Sequence, residues 1–319
     1  MHIPDGLLNL HATGATALLS ATGVWTALRR LQSTLPRRRV PLVGLSAAFV
    51  FAAQMINFPV MAGTSGHLLG AVLTTTLLGP SAAVVIMSSV LIVQCLLFAD
   101  GGLLALGANI VNMAIIGVLV GATVSSALRR LMPGRKGLLV AAACGAWCST
   151  MAAALCCATE LAWSGVAPSA LLFPAMAGIH ALIGVGEGVI TALVLSALMQ
   201  TRPELIPGAT EAPNEGHVGR AALVGFATTI ALLLLVAPYA ASAPDGLERV
   251  SAVLGFSQLF GPAPASTPMP DYQMPGLVST ASATVLAGVA GALVVFVMAS
   301  ILASTLAPKG SSRHPGGES

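Results

Sequence analysis

The stretch Ser81-Ala82-Ala83-Val84-Val85-Ile86-Met87-Ser88-Ser89-Val90-Leu91-Ile92-Val93-Gln94-Cys95-Leu96-Leu97-Phe98-Ala99 runs for nineteen residues without one charged side chain. A helix of that length covers roughly 28 Å, close to the ~30 Å hydrocarbon core of a bilayer. Similar apolar runs lie on either side, at 8–28, 42–62, 67–79, 107–128, 138–163, 171–199, 221–241 and 280–306, about nine crossings by length. The third is short and ends at Gly79-Pro80, as a broken helix or a tight hairpin would. Composition agrees: 56% of the residues are hydrophobic and 8% charged, with a mean hydropathy of +0.89. A soluble domain carries about 25% charged residues. The fold class is all-α, a polytopic helical membrane protein with a seven-helix body and a two-helix hairpin, partnered by the lipid bilayer and by no nucleic acid.

Basic residues set the expected orientation. Arg29, Arg30, Arg37, Arg38 and Arg39 follow the first run, and Arg129, Arg130, Arg135 and Lys136 the fifth. Arg202 and Arg220 separate the seventh from the eighth, and Lys309 and Arg313 follow the ninth. Alternate threading gathers all of these on one side, leaving Arg249 opposite. With that side cytoplasmic, the amino terminus lies outside, the carboxyl terminus inside, and the chain is multi-pass in the cell membrane. Met1 has no basic region after it and Pro4-Asp5-Gly6 interrupts the start, so no signal peptide is expected. The expected division is a body over 1–200, a polar cytoplasmic linker over 201–220, a hairpin over 221–306 with an outside loop at 242–279, and a disordered tail over 307–319.

The front of the chain, Met1-His2-Ile3-Pro4-Asp5-Gly6, offers a metal chelate. The α-amine of Met1, the backbone nitrogen of His2 and an imidazole nitrogen of His2 can close two fused rings around one ion. Three nitrogens then lie in a plane with a fourth corner open, an arrangement that suits Ni(II) or Cu(II), while imidazole also accepts cobalt and zinc. A histidine that merely comes second is the plainer alternative. His67, in Gly63-Thr64-Ser65-Gly66-His67-Leu68-Leu69-Gly70, falls in the second outside turn, between glycines that allow close backbone approach. It is the natural fourth corner, with capping of the short third helix as the even alternative.

Polar groups at membrane depth are costly and are functional candidates by default. His180 and Glu187 lie two turns apart on one helix face, where they can orient a ligand, relay protons or lock helices together. His11, Asn57, Gln94, Asn109 and Asn112 read as interior packing groups, and Glu160 as interfacial. Five cysteines sit in apolar runs and behave as small hydrophobes. No nucleotide-binding GxxxxGK[ST] loop, HExxH or GxSxG occurs, so the chain is not expected to be an enzyme or to hydrolyse ATP.

Met1-His2-Ile3-Pro4-Asp5-Gly6, Asn57-Phe58-Pro59-Val60 and the glycine-flanked His67 turn together resemble the CbiM/NikM family. Pro244-Asp245-Gly246-Leu247-Glu248 and Pro270-Asp271-Tyr272 through Pro275-Gly276-Leu277 resemble the PDGLE domain, counterpart of the small companion CbiN/NikN. The resemblance implies a substrate-specificity subunit of an energy-coupling-factor transporter for cobalt or nickel. It implies a metal site of Met1, His2 and His67, with Asn57, Ser65, His180 and Glu187 behind the ligands or in packing. Its implied partners are a transmembrane coupling subunit and cytoplasmic ABC ATPases, and its implied cargo is Ni2+ or Co2+, with no resident cofactor. Fusion of both parts in one chain favours nickel. The competing classes are a secondary cation transporter with a His180/Glu187 proton relay, which lacks the related halves such folds use, and an intramembrane enzyme.

Overall fold

A computed structural model describes residues 1–206, 215–261 and 267–307, and there the apolar runs fold as helices. In chain order these are α1 (Leu10–Thr34), α2 (Val40–Met55), α3 (Ala71–Leu78), α4 (Pro80–Phe98), α5 (Leu106–Leu131), α6 (Gly134–Trp163), α7 (Ser169–Thr201), α8 (Glu215–Leu235), α9 (Gly246–Leu254) and α10 (Thr280–Leu306). Six of them (α4 to α8 and α10) are long and apolar enough to cross a bilayer. Residues 207–214 of the linker and 308–319 of the tail lie outside the described residues.

Several local outcomes refine the expectations. The third run is the eight-residue α3, too short to cross alone, and the chain breaks at Gly79 before α4 begins at Pro80. Gly79 and Pro80 explain the break: Gly79 sits at φ +85°, and Pro80 is tolerated only as the first residue of the next helix. Between α2 and α3 a two-strand ribbon forms, β1 (Phe58–Val60) against β2 (Thr64–Gly66), antiparallel, with Pro59 opposite Ser65. Inside α5, residues Ile110–Ile116 take π-helical bonding, a distortion that often marks functional positions. The outside loop is not all irregular, because Asp245 and Glu248 form a reciprocal capping box that starts α9. His11, expected inside, is exposed on α1, while Glu160, expected at the interface, is buried and accepts from Asn112 Nδ2 at 2.7 Å.

The hairpin does not stand apart from the body. Val43, Ala47 and Phe51 of α2, Ile86 and Val90 of α4, Met113 of α5 and Ala292, Val295 and Ala299 of α10 share one core. A second core gathers at one end of the bundle. There Ile3 and Leu7 are 0% and 2% exposed, packed with Ala153, Cys157 and Leu161 of α6, Leu172 and Met176 of α7, and Leu247, Val250 and Phe256 of the hairpin loop. Burying two such side chains is worth roughly 1.5–3 kcal/mol each, enough to draw a polar chain end into the fold.

A candidate metal centre at the folded-in amino terminus

Asp5 anchors the terminus. Its carboxylate accepts the backbone N–H groups of Leu103 at 3.0 Å and Leu104 at 2.8 Å, just ahead of α5. Asn109 then grips the main chain of Ile3 on both sides, accepting from its N–H at 2.8 Å and donating to its carbonyl at 3.1 Å. Gly102 N–H donates to the same carbonyl at 2.9 Å. The result is that Met1 is 5% and His2 9% exposed.

His67 comes to this end from β2. Its Nδ1 lies 3.2 Å from the carbonyl of Leu68, so Nδ1 carries the hydrogen and Nε2 keeps its lone pair. Nε2 sits 3.5 Å from the amine of Met1, and the His2 and His67 rings stack with centroids 5.3 Å apart. Behind His67, the carboxylate of Glu187 accepts from Leu69 N–H at 2.5 Å and Gly70 N–H at 2.9 Å. Gly70, at φ +82°, supplies the left-handed turn into α3 that few other residues adopt. His180 donates from Nδ1 to the Met176 carbonyl at 2.8 Å, and its Nε2 is buried without a hydrogen-bond partner. His180 and Glu187 therefore take separate partners and do not bond each other.

Two carboxylates complete the surroundings. Asp245 Oδ2 pairs with the Met1 ammonium, and Asp100 Oδ1 accepts from His2 Nδ1 at 3.0 Å. Asp100 Oδ2 also accepts from the Tyr272 hydroxyl at 2.5 Å, whose ring stacks on Phe98 at 4.7 Å. A cavity of about 670 Å³, lined by His2, Asn57, His67, Asp100, Asp245 and Glu248 among others, opens onto the site. Burial holds His67 down to about 3 and also lowers His2, against the upward pull of Asp100. Burial thus favours the neutral form of both imidazoles, the form that coordinates a cation. Burial works to lower the Met1 amine as well, yet the Asp245 carboxylate outweighs it and the amine ends above its ordinary value. Burial works to raise Asp245, but the ammonium beside it and their hydrogen bond hold it below the usual carboxylate range.

Among the described residues no three His, Cys, Asp or Glu side chains converge as a metal cluster. Met1, His2 and His67 come together; Ser65 and Asn57 instead tie the hairpin to the ribbon. Ser65 donates from its N–H to Pro244 O at 2.9 Å and from Oγ to Ala243 O at 2.7 Å, and Asn57 O accepts from Ala241 N–H at 2.9 Å. Asn109, expected as plain packing, clamps the terminus, and Asp5, Asp100, Asp245 and Tyr272 had no metal-site role in the sequence. The D-x-x-E spacing of Asp245 and Glu248 was a legible capping signal; nothing in the spacing of Asp100 or Asn109 points to His2 or Ile3. Replacing Asn109 with Leu leaves the Ile3 main chain without its side-chain partner.

Comparison with known proteins places this geometry in context. Residues 2–205 match the CbiM model, described as a cobalt uptake substrate-specific transmembrane region, and residues 219–308 match the PDGLE domain. A relative in Archaeoglobus fulgidus, named as a fused nickel transport protein NikMN, is 38% identical over 306 residues, covering 93% of this chain and 96% of its own. The fused nickel transport protein NikMN of Rhodobacter capsulatus is 32% identical, covering 85% and 88%. A crystal structure of a truncated transition metal transporter superposes with a TM-score of 0.58 at 32% identity, over 63% of this chain and 99% of that one. The chain belongs to the CbiM family of metal-transport membrane proteins, joined in one polypeptide to a PDGLE domain.

Proposed function

We propose that this chain is the substrate-binding membrane subunit of an energy-coupling-factor importer for Ni2+ or Co2+, with nickel favoured. The carrying observation is the approach of the Met1 amine to His67 Nε2, 3.5 Å, beside the stacked ring of His2. In the proposed cage the amine, the His2 amide and His2 Nδ1 close the two fused rings, and His67 Nε2 takes the fourth corner. Nδ1 gives up its hydrogen bond to Asp100 for the cation while the ring proton moves to Nε2, which has no other partner, and the carboxylate stays as a nearby countercharge. Four nitrogens in a plane fit Ni(II); cobalt would call for further donors. Glu187 supports His67 through the Leu69 and Gly70 amides, and Ser65 and Asn57 join the hairpin to the ribbon. His180 stands behind them with a free ring nitrogen.

The names of the relatives, nickel transport proteins among them, support the same cargo. Arg29, Arg30, Arg37 to Arg39, Arg129, Arg130 and Arg202 fall at helix ends away from the Met1 site, which supports a site facing outward and a cytoplasmic carboxyl terminus. With no nucleotide loop in the chain, energy comes from ATPase partners through a transmembrane coupling subunit. Calorimetry with Ni2+ on the purified chain tests the cage: His2→Ala and His67→Ala should each weaken binding at least about 100-fold, since each removes a direct donor where even orienting groups are worth 10- to 100-fold. Cellular uptake with and without the coupling and ATPase subunits tests the assembly. Transport that persists without them would instead favour a secondary transporter.

A further inference from the structure

The metal-free amine of Met1 has two neighbours. One N–H direction is taken by Asp245 Oδ2, and His67 Nε2 faces it at 3.5 Å. With metal–nitrogen bonds near 2.0–2.1 Å, donors at adjacent corners of a plane lie roughly 2.9 Å apart and at opposite corners roughly 4.1 Å. The observed gap falls between these, so a cation enters between the amine and His67 with small adjustment. A coordinated amine keeps two N–H groups, and the one on Asp245 need not be given up.

Asp245 is itself held. Its Oδ1 accepts from Glu248 N–H at 2.9 Å, and its own N–H donates to Glu248 Oε2 at 2.8 Å. One residue earlier, the Pro244 carbonyl is fixed by Ser65 N–H of β2, two residues ahead of His67. One residue later, Gly246 lies so close under His180 that a Cβ there would come within 2.6 Å of its Nε2. Asp245 and His67 thus have a set separation, although 178 residues part them in sequence.

We propose that Asp245, from the hairpin loop, is a positioning residue for the transported ion: it accepts one N–H of Met1 and turns the amine so that its metal-binding direction faces His67 Nε2. The hairpin unit then supplies part of the metal site. This rests on Met1, His2 and His67 being the cage.

The test is Ni2+ calorimetry on the full chain, with the Ni2+ absorption spectrum recorded on the same samples. Asp245→Ser and Asp245→Asn both keep a good helix N-cap for α9, but only Asn reaches the amine with an acceptor oxygen. Asp245→Ser should weaken Ni2+ binding about 10- to 100-fold and shift the Ni2+ absorption bands. Asp245→Asn should stay within about fivefold of wild type with an unshifted spectrum, the loss expected for exchanging a charged acceptor for a neutral one. Ser binding as tightly as wild type, or Asn falling as far as Ser, would overturn the assignment while leaving the cage intact. A wild-type chain that binds no Ni2+, or binds it as well after His2→Ala, would bring down the cage and the role of Asp245 with it.

Discussion

Extending the chain by Gly-Ser ahead of Met1 will abolish Ni2+ binding, a loss of at least about 1,000-fold in affinity because an anchoring donor goes and its ring cannot close. The amine becomes a peptide nitrogen, which can bind only after losing a further proton, and the new amine is displaced by two residues. Two residues are specified because a single one would put the histidine third and build a different amine–amide–imidazole chelate. Space works in the same direction: Met1 is 5% exposed, against Gly66, Leu69, Thr150, His180 and Ile183 in a pocket of about 10 Å³, room for about one water. Acetylating the amine removes the donor with far less bulk and should give the same loss. Calorimetry measures both, with a thermal unfolding curve to show that the body remains folded. A tagged chain that binds Ni2+ like wild type would mean that the amine is not a ligand.

The second large effect is on pH. Binding in the proposed cage releases one proton from the Met1 ammonium, held above its ordinary value by Asp245 against burial, and one from the His2 amide. Proton release on binding means that affinity falls as pH falls. Two protons give about a 100-fold loss per pH unit, so about 10⁴-fold between pH 8 and pH 6. The slope should stay constant across that interval. Ordinary imidazoles near 6.5 would add their own protons and steepen it, but burial holds His67 down to about 3, so it takes up none there, and burial lowers His2 in the same direction. Competition titrations with a chelator of known Ni2+ affinity at half-unit pH steps measure the slope. A curve that steepens through pH 6.5 would show that at least one imidazole is solvated.

Much of the architecture was legible because membrane solvent imposes simple rules. Uncharged runs such as Ser81–Ala99 must close their own backbone hydrogen bonds, which makes them helices wherever they end up. Some bounds survived folding closely, as in α10 at Thr280–Leu306 against the expected 280–306, whereas α2, expected over 42–62, ends at Met55, just ahead of the ribbon. The short third run is marked by Gly79-Pro80, since freedom to take a positive φ and a missing N–H can be read from residue type. His11 was misplaced because one histidine in an apolar run carries no record of which helix face turns inward. Helix α9 is masked in the sequence by the Pro, Gly and Ser content of the outside loop, although the D-x-x-E pair that caps it lies inside.

What the amino-acid sequence determines on its own is the class of solvent, the helical segments, the clustering of basic residues between apolar runs and the chemistry that Met1-His2 can perform at one chain end. These depend on neighbours within a few residues. Which distant groups meet that end was decided only by the tertiary structure. Asn109 reaches Ile3, Asp100 reaches His2, and Asp245 reaches Met1 across 244 positions, because helix packing and the docked hairpin bring them together. Hydrogen bonds and ion pairs act over a few ångströms in space and take no account of separation along the chain, so no local pattern could have announced those partners.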